Sequence, residues 1–109
     1  MLEIRYFIAG NGRSPFGDWF AHLDAIARAK VTVALARIEQ GNLSNVKPVG
    51  AGVLEYRIDF GPGYRVYFGR DGEMLVILLT GGTKQRQQRD IADAKELWSA
   101  YKQHKRGGR

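Results

Sequence analysis

The segment from Val53 to Thr83 contains three short apolar stretches separated by two tight turns, and it constrains the fold more than any other part of the chain. Gly61-Pro62-Gly63 forms the first turn. Arg70-Asp71-Gly72 forms the second, with the Asp-Gly pair that is typical of a β-hairpin. The segment therefore predicts three consecutive strands with short connections. The predicted strands are Val53–Phe60, Tyr64–Phe68 and Met74–Thr80.

Charged residues alternate with apolar residues along the first of these strands. Because the side chains of a strand point to opposite faces in turn, the ionic residues share one face and the apolar residues share the other. The ionic set is Glu55, Arg57 and Asp59, and the apolar set, which we expect to face a core, is Tyr56, Ile58 and Phe60. Arg65 follows on the second strand, and Lys84 comes just after the third.

This ionic set suggests a site for a phosphodiester. Two guanidinium groups and an ammonium group bind phosphate oxygens, and a carboxylate beside them moves a proton. The alternative interpretation is an exposed sheet face with cross-strand ion pairs, which are worth about 0.2–1 kcal/mol each.

The residues before this segment predict a strand and two helices. Apolar residues alternate from Leu2 to Ile8, as in a strand. Ser14 then caps a first helix with proline as its first residue, and Asp24 caps a second helix that ends near Gly41. We interpret Leu43–Gly52 as a loop, since it contains one proline and two glycines.

A last helix follows the meander. We expect Thr83 to cap it, with an apolar stripe formed by Ile91, Ala94, Leu97, Trp98 and Tyr101. Its start, Lys84–Arg89, carries three cations that oppose the helix dipole, which indicates either an anion site or a solvated turn. The tail Lys102–Arg109 is basic, and we expect it to fray. The order β-α-α-β-β-β-α predicts an α+β fold in a single domain over residues 1–109.

Composition narrows the functional classes. The 109 residues include no cysteine, which excludes disulfides and thiolate metal sites and fits a reducing cytosol. The two histidines are too few and too far apart to indicate a metal site. The longest apolar run, Met74–Leu79, is much shorter than the roughly 20 residues of a membrane helix. The N-terminus shows no signal-peptide pattern, so we expect a cytoplasmic protein.

Net charge points to an acidic partner. The chain carries a formal charge of +6, and its isoelectric point is about 9.9. The charge is uneven, because residues 56–109 contain eleven Lys or Arg against six Asp or Glu, whereas residues 1–55 contain six against five. A basic half attracts nucleic acid or an acidic protein.

Three segments together resemble a known family. They are Lys47–Gly50 (KPVG), Tyr56–Phe68 (YRIDFGPGYRVYF) and Leu78–Lys84 (LLTGGTK), followed by a basic, glutamine-rich helix start. With the element order above, the chain resembles the RelE/ParE toxin superfamily, most closely the branch of addiction-module killer proteins related to HigB-type toxins. The resemblance spans nearly the whole chain.

The resemblance implies a two-layer fold in which an antiparallel sheet is backed by a helical hairpin. It implies a cytoplasmic toxin that is neutralised by a cognate antitoxin, which we expect to carry a helix-turn-helix domain. Ribonuclease members cut messenger RNA, commonly on the ribosome, with basic residues at the positions of Arg57, Arg65 and Lys84. We add Lys47 and Arg86 as candidate RNA-binding residues, and we expect no cofactor and no membrane contact.

Two departures from the family pattern leave the mechanism open. Asp59 stands where the best-described ribonuclease members carry a lysine that acts as a base, and no tyrosine lies near Gln88–Ile91 to stack on a substrate base. We interpret Asp59 as the candidate base, with Glu55, behind the site, as the alternative base. Other superfamily members poison DNA gyrase and cleave nothing. Three hypotheses therefore stay open, namely a metal-independent ribonuclease toxin, a gyrase poison and a non-catalytic binding module.

Overall fold

The computed structural model describes residues 1–107. Its elements follow in the order β1 (Glu3–Tyr6), α1 (Pro15–Ala21), α2 (Ala25–Glu39), β2 (Val46–Gly50), β3 (Val53–Ile58), β4 (Tyr64–Asp71), β5 (Leu75–Thr83), a short 3-10 turn (Lys84–Arg86) and α3 (Gln87–Gly107). The α+β class and the predicted strand meander, β3 to β5, are confirmed.

The sheet has the strand order β1-β5-β4-β3-β2. Strands β2 to β5 pair with their neighbours antiparallel, but β1 pairs parallel with β5. The sheet is therefore mixed, and the expected antiparallel pairing holds for β2 to β5 but not for β1. The long connection through α1 and α2 separates β1 from the rest of the sheet, and such a crossover allows parallel pairing, whereas a tight turn does not.

Strand β2 lies where the sequence predicts a loop, so that prediction is wrong. It pairs with β3 through a two-residue turn at Ala51 and Gly52, whose φ angles are 57° and 84°. Positive φ at both positions is typical of a type I′ hairpin turn. Pro48 is tolerated because β2 is an edge strand, where a missing N–H breaks no bond to a further neighbour.

Helices α1 and α2 back one face of the sheet, as predicted. The Ser14 hydroxyl accepts the Gly17 N–H at 2.9 Å, and the Asp24 carboxylate accepts the Ala27 N–H at 2.8 Å, so both predicted N-caps are confirmed. Apolar side chains from the hairpin and the sheet form the first core cluster, which contains Phe16, Val31, Ala34, Ile38, Tyr56, Val66, Phe68, Val76 and Leu78.

Helix α3 covers the opposite face over β4 and β5. The second core cluster lies beneath it and contains Phe7, Val53, Tyr67, Ile77, Leu79, Ala94 and Trp98. The Trp98 ring sits so close to Gly69 that a Cβ there would lie 2.6 Å from it, which explains the glycine. The predicted core position of Trp98 is confirmed by its exposed fraction of 6%.

The last turns of α3 differ from the predicted tail. The helix continues to Gly107, and the Lys105 ammonium lies 2.5 Å from the Asp71 carboxylate, whereas the sequence predicts fraying from Lys102. Residues 108 and 109 of that predicted tail lie outside the described residues. No helix within residues 1–107 combines the length and the apolar character needed to cross a lipid bilayer.

The end of β3 also differs from expectation. The strand stops at Ile58, so Asp59 and Phe60 belong to the turn that leads to β4. Tyr56 is buried in the first core cluster as predicted, but Phe60 is 38% exposed, and its predicted core position is wrong. The Lys30 ammonium lies 4.8 Å from the centre of the Phe60 ring. Phe60 therefore carries a surface cation–π contact.

Candidate functional site

The pairing of β3 with β4 places two arginines face to face. Arg57 is the direct partner of Arg65, and Glu55 is the direct partner of Tyr67. Directly paired residues project on the same face of a sheet, and so do residues two apart on one strand. All four side chains therefore lie on the face that also carries α3. Like charges directly opposite each other are unfavourable unless something compensates them.

Glu55 supplies part of that compensation from a buried position. Its carboxylate is fully buried and accepts three hydrogen bonds, from Arg57 Nε at 3.0 Å, the Tyr67 hydroxyl at 3.0 Å and Gln87 Nε2 at 2.8 Å. Burial raises the pKa of Glu55, but the hydrogen bonds from Gln87, Arg57 and Tyr67 together outweigh burial and hold the pKa below its ordinary value. The alternative prediction of an exposed ionic face is wrong at this residue.

Two of the hydrogen-bond donors to Glu55, namely Tyr67 and Gln87, were not identified from the sequence. Burial raises the pKa of Tyr67, and the neighbouring Glu55 charge raises it further, so this phenol stays a hydrogen-bond donor. Strand periodicity could have identified Tyr67, because it lies two residues after Arg65 and shares its face. Gln87 lies in the first turn of α3, and nothing in the sequence pattern marks it as the partner of a residue 32 positions earlier.

Arg65 is held by the turn that precedes β4. Its side chain is only 7% exposed, and one terminal nitrogen (Nη1) donates to the Gly63 carbonyl at 2.8 Å. The same carbonyl accepts the Lys84 N–H at 2.9 Å. Gly63 has a φ of 78°, and a Cβ there would lie 2.9 Å from the Arg65 guanidinium, so only glycine fits. Arg65 Nε is buried and finds no hydrogen-bond acceptor within residues 1–107.

A cleft of about 440 Å³ opens above these groups, and we call it the arginine cleft. It is lined by Arg57, Ile58, Asp59, Gly61, Pro62, Gly63, Arg65 and Lys84. The structure thus brings together the four residues that the sequence analysis proposed as catalytic. Asp59 and Lys84 are exposed at this cleft, whereas Glu55 has no exposed surface and reaches it only through Arg57.

The two other predicted RNA-binding residues lie outside the arginine cleft. Lys47 is exposed on β2 and lines an adjacent cleft of about 300 Å³, which shares Arg57 and Asp59 with the arginine cleft. Arg86 is exposed in the 3-10 turn and does not line either cleft. Thr83 occupies the predicted N-cap position, but its side chain makes no capping hydrogen bond.

A buried carboxylate that the sequence analysis missed lies behind Arg65. Asp90 in α3 is 8% exposed, and its Oδ2 has no hydrogen-bond donor among residues 1–107. Gly82 is the β5 partner of Arg65, and a Cβ on it would overlap the Asp90 carboxylate. Burial raises the pKa of Asp90 more than the neighbouring Arg86 and Arg89 lower it. Helical periodicity could have found Asp90, because it lies four residues before the buried Ala94.

No group of three or more histidine, aspartate or glutamate side chains within residues 1–107 is arranged to hold a metal ion.

Comparison with known proteins relates the chain to a phage-derived group. The family model described as phage derived protein Gp49-like (DUF891) matches residues 18–103. A Haemophilus influenzae protein (strain ATCC 51907 / DSM 11121 / KW20 / Rd), described as an uncharacterized protein, is 43% identical over 83 residues. That match covers 75% of this chain and 84% of the relative. The residues that line the arginine cleft all fall within the span of the family model.

Proposed function

This chain belongs to the Gp49-like family of phage-derived proteins, and on that premise we propose that it is the toxin of a toxin–antitoxin pair and acts as an endoribonuclease. The resemblance to RelE/ParE toxins and their HigB-like killer branch supports both parts of the proposal. The partner is a cognate antitoxin, and the substrate is messenger RNA, free or on the ribosome.

The observation that carries the ribonuclease activity is the direct opposition of Arg57 and Arg65 at the arginine cleft. Glu55 orients Arg57 from below, and the Gly63 carbonyl orients Arg65. Two fixed guanidiniums can each donate paired hydrogen bonds to a phosphate, and an anion between them removes their mutual repulsion. The site is thus preorganised for the negative charge that accumulates on a phosphorane.

RNA supplies its own nucleophile, so the protein needs only to position groups and move protons. Asp59 takes the proton of a 2′-hydroxyl, whose oxygen attacks the adjacent phosphorus. Arg57 and Arg65 bind the non-bridging oxygens. Lys84 donates a proton to the departing 5′ oxygen, which leaves as a hydroxyl. The products are a 2′,3′-cyclic phosphate and a 5′-hydroxyl end, and atoms and protons balance without a further reactant.

The test is induction of the chain without its antitoxin, followed by mapping of RNA ends. We expect growth to stop and cut messages with 5′-hydroxyl ends to appear within minutes. Intact transcripts with damaged DNA would favour gyrase poisoning instead, and unimpaired growth would favour a binding module. In vitro, a synthetic RNA with a 2′-deoxy substitution at the mapped site should resist the purified protein.

Arg65→Ala should lower the cleavage rate about 100-fold or more, the size typical of a lost charge-stabilising donor. Lys84→Ala should also lower the rate, and because Lys84 is exposed this variant separates chemistry from folding. Arg5→Ala is the matched control, since it removes the same charge from β1 at the far edge of the sheet. Full toxicity of a folded Arg65→Ala protein would rule out the assigned role of Arg65.

A further inference from the structure

A third cleft meets the arginine cleft at the end of β3. It lies between α2 and β3, measures about 330 Å³ and shares Arg57, Ile58 and Asp59 with the arginine cleft. It also shares Asn45 with the cleft that Lys47 lines. We call it the α2 groove. An RNA strand that leaves the arginine cleft past Asp59 on this side enters the α2 groove directly.

Helix α2 presents a single face to this groove. Lys30, Val33, Ala34 and Arg37 are spaced by three, four and seven residues and all line it. Val33 is 49% exposed, which leaves an apolar floor open between two exposed cations. Seven residues of helix place those cations about 10 Å apart along the axis. Neither cation takes part in an ion pair among residues 1–107.

The chemistry of the α2 groove fits a nucleotide. A base has two apolar faces and a polar edge, and the flanking phosphate is anionic. The groove offers an apolar floor, one amide from Asn45 and cations at its rim. Its volume is at the lower end of the range for small-ligand sites, which suits one nucleotide rather than a duplex.

We propose that the α2 groove is the subsite for the ribonucleotide next to the scissile phosphate, and this rests on the ribonuclease function proposed above. The base lies on the floor formed by Val33 and Ile58, and the Asn45 amide hydrogen-bonds its edge. Lys30 and Arg37 bind the flanking phosphate. The groove then sets part of the cleavage preference, because single-stranded RNA is read through the edges of unstacked bases.

Short RNAs that cannot be cut test the subsite by binding alone. The probes are fluorescein-labelled 2′-O-methyl oligonucleotides of two to six nucleotides, measured by fluorescence anisotropy. Wild-type affinity should rise sharply at the length that first fills the α2 groove. The Lys30→Ala/Arg37→Ala variant should lose that rise, binding the longer probes about tenfold more weakly while it binds the dinucleotide as wild type does.

A matched double variant controls for net charge. Arg5→Ala/Arg13→Ala also removes two exposed cations, both of which lie outside the α2 groove, and it should keep the rise with length. Equal weakening of all probes by both double variants would mean that only the overall charge matters and would overturn the subsite. An unchanged length dependence in Lys30→Ala/Arg37→Ala would overturn it as well, and would leave an acidic antitoxin segment as the occupant to examine.

Cleavage mapping with Asn45→Ala separates this proposal from the one on which it rests. We expect the variant to cut the preferred sequence more slowly and to lose nucleotide preference at one position beside the cut. If the wild type cuts RNA and Asn45→Ala keeps the same nucleotide preference, the role of Asn45 is refuted while the ribonuclease function stands. A length-dependent binding step in a protein that cuts no RNA would support nucleotide binding in the α2 groove but would refute the ribonuclease and, with it, a position beside a scissile phosphate.

Discussion

Replacing Glu55 should destabilise the protein far more than replacing an exposed glutamate with the same local geometry. Glu3 and Arg5 on β1 form an ion pair two residues apart on a strand, with 2.7 Å between Arg5 Nε and Glu3 Oε2. Glu55 and Arg57 on β3 form the same kind of pair at 3.0 Å. The Glu3 side chain is 59% exposed, whereas the Glu55 side chain is fully buried. The comparison of Glu55→Ala with Glu3→Ala therefore measures the combined effect of burial and of the two further hydrogen bonds that Glu55 accepts.

The expected loss of stability in Glu55→Ala follows from the three hydrogen-bond donors that lose their acceptor. Tyr67 is fully buried, so its unpaired hydroxyl costs about 1–3 kcal/mol. Gln87 loses a charge-assisted bond worth roughly 1.5 kcal/mol, while Arg57 regains water because 44% of its side chain is exposed. We expect a total of about 3 kcal/mol, or about 12 °C in Tm for a domain of this size. Glu3→Ala should cost less than about 0.5 kcal/mol.

The difference between wild type and Glu55→Ala should also depend on pH. The folded protein holds the pKa of Glu55 below its ordinary value of 4.5, so the carboxylate stabilises the fold fully above that value. As pH falls below 4.5 and through the folded pKa, the carboxyl becomes protonated in the native state and this contribution disappears. The free-energy difference should thus be constant near neutral pH and shrink in acid.

Urea unfolding followed by circular dichroism at a series of pH values measures both effects. The reasoning would be refuted if Glu55→Ala cost no more than Glu3→Ala, since Glu55 would then have access to water. A stability difference that stays constant down to pH 2 would show that the ionised form is not what the three donors stabilise.

Three further consequences of the structure can be measured. Gly82→Ala should lower the free energy of unfolding by about 1–3 kcal/mol, because the new Cβ overlaps the Asp90 carboxylate, whereas Gly10→Ala, with open space around it, should not do so through a clash. Burial and a hydrogen bond to Asp71 raise the pKa of Tyr101 to about 12, and Asp71→Asn should lower it in an ultraviolet titration. We expect the cognate antitoxin to present an acidic face to the basic cleft, so its association should slow sharply between low and high salt while dissociation changes less, and a salt-independent association rate would contradict this electrostatic expectation.

The local features of the fold could be predicted from short stretches of sequence. Ser14 and Asp24 cap helices because their side chains bond N–H groups three residues ahead, which requires no information from the rest of the chain. The chain reverses directly after Asp71, the last residue of β4, because Gly72 takes a φ of 74°. The predicted loop at Leu43–Gly52 is wrong where β2 forms. Pro48 and two glycines usually interrupt a strand, but here the pairing with β3 and the edge position accommodate them.

The candidate site was predictable as a set of residues but not as an arrangement. Period-2 alternation places Glu55 and Arg57 on one face whatever surrounds them. Whether that face is exposed depends on α3, which lies more than thirty residues later and covers Glu55 with Gln87. For this reason the sequence allowed an exposed ionic face, while the structure contains a buried carboxylate with three donors.

The sequence by itself determined the strand meander, the N-caps of α1 and α2 and the basic, glycine-flanked character of the segment around Arg65, because backbone geometry and side-chain periodicity act over a few residues. Only the tertiary structure decided that Arg57 faces Arg65, that β1 runs parallel to β5 and that Asp90 lies against Gly82. These relations depend on strand register and on helix packing between distant segments. Register and packing are set by the burial of whole faces, which no short stretch of sequence specifies.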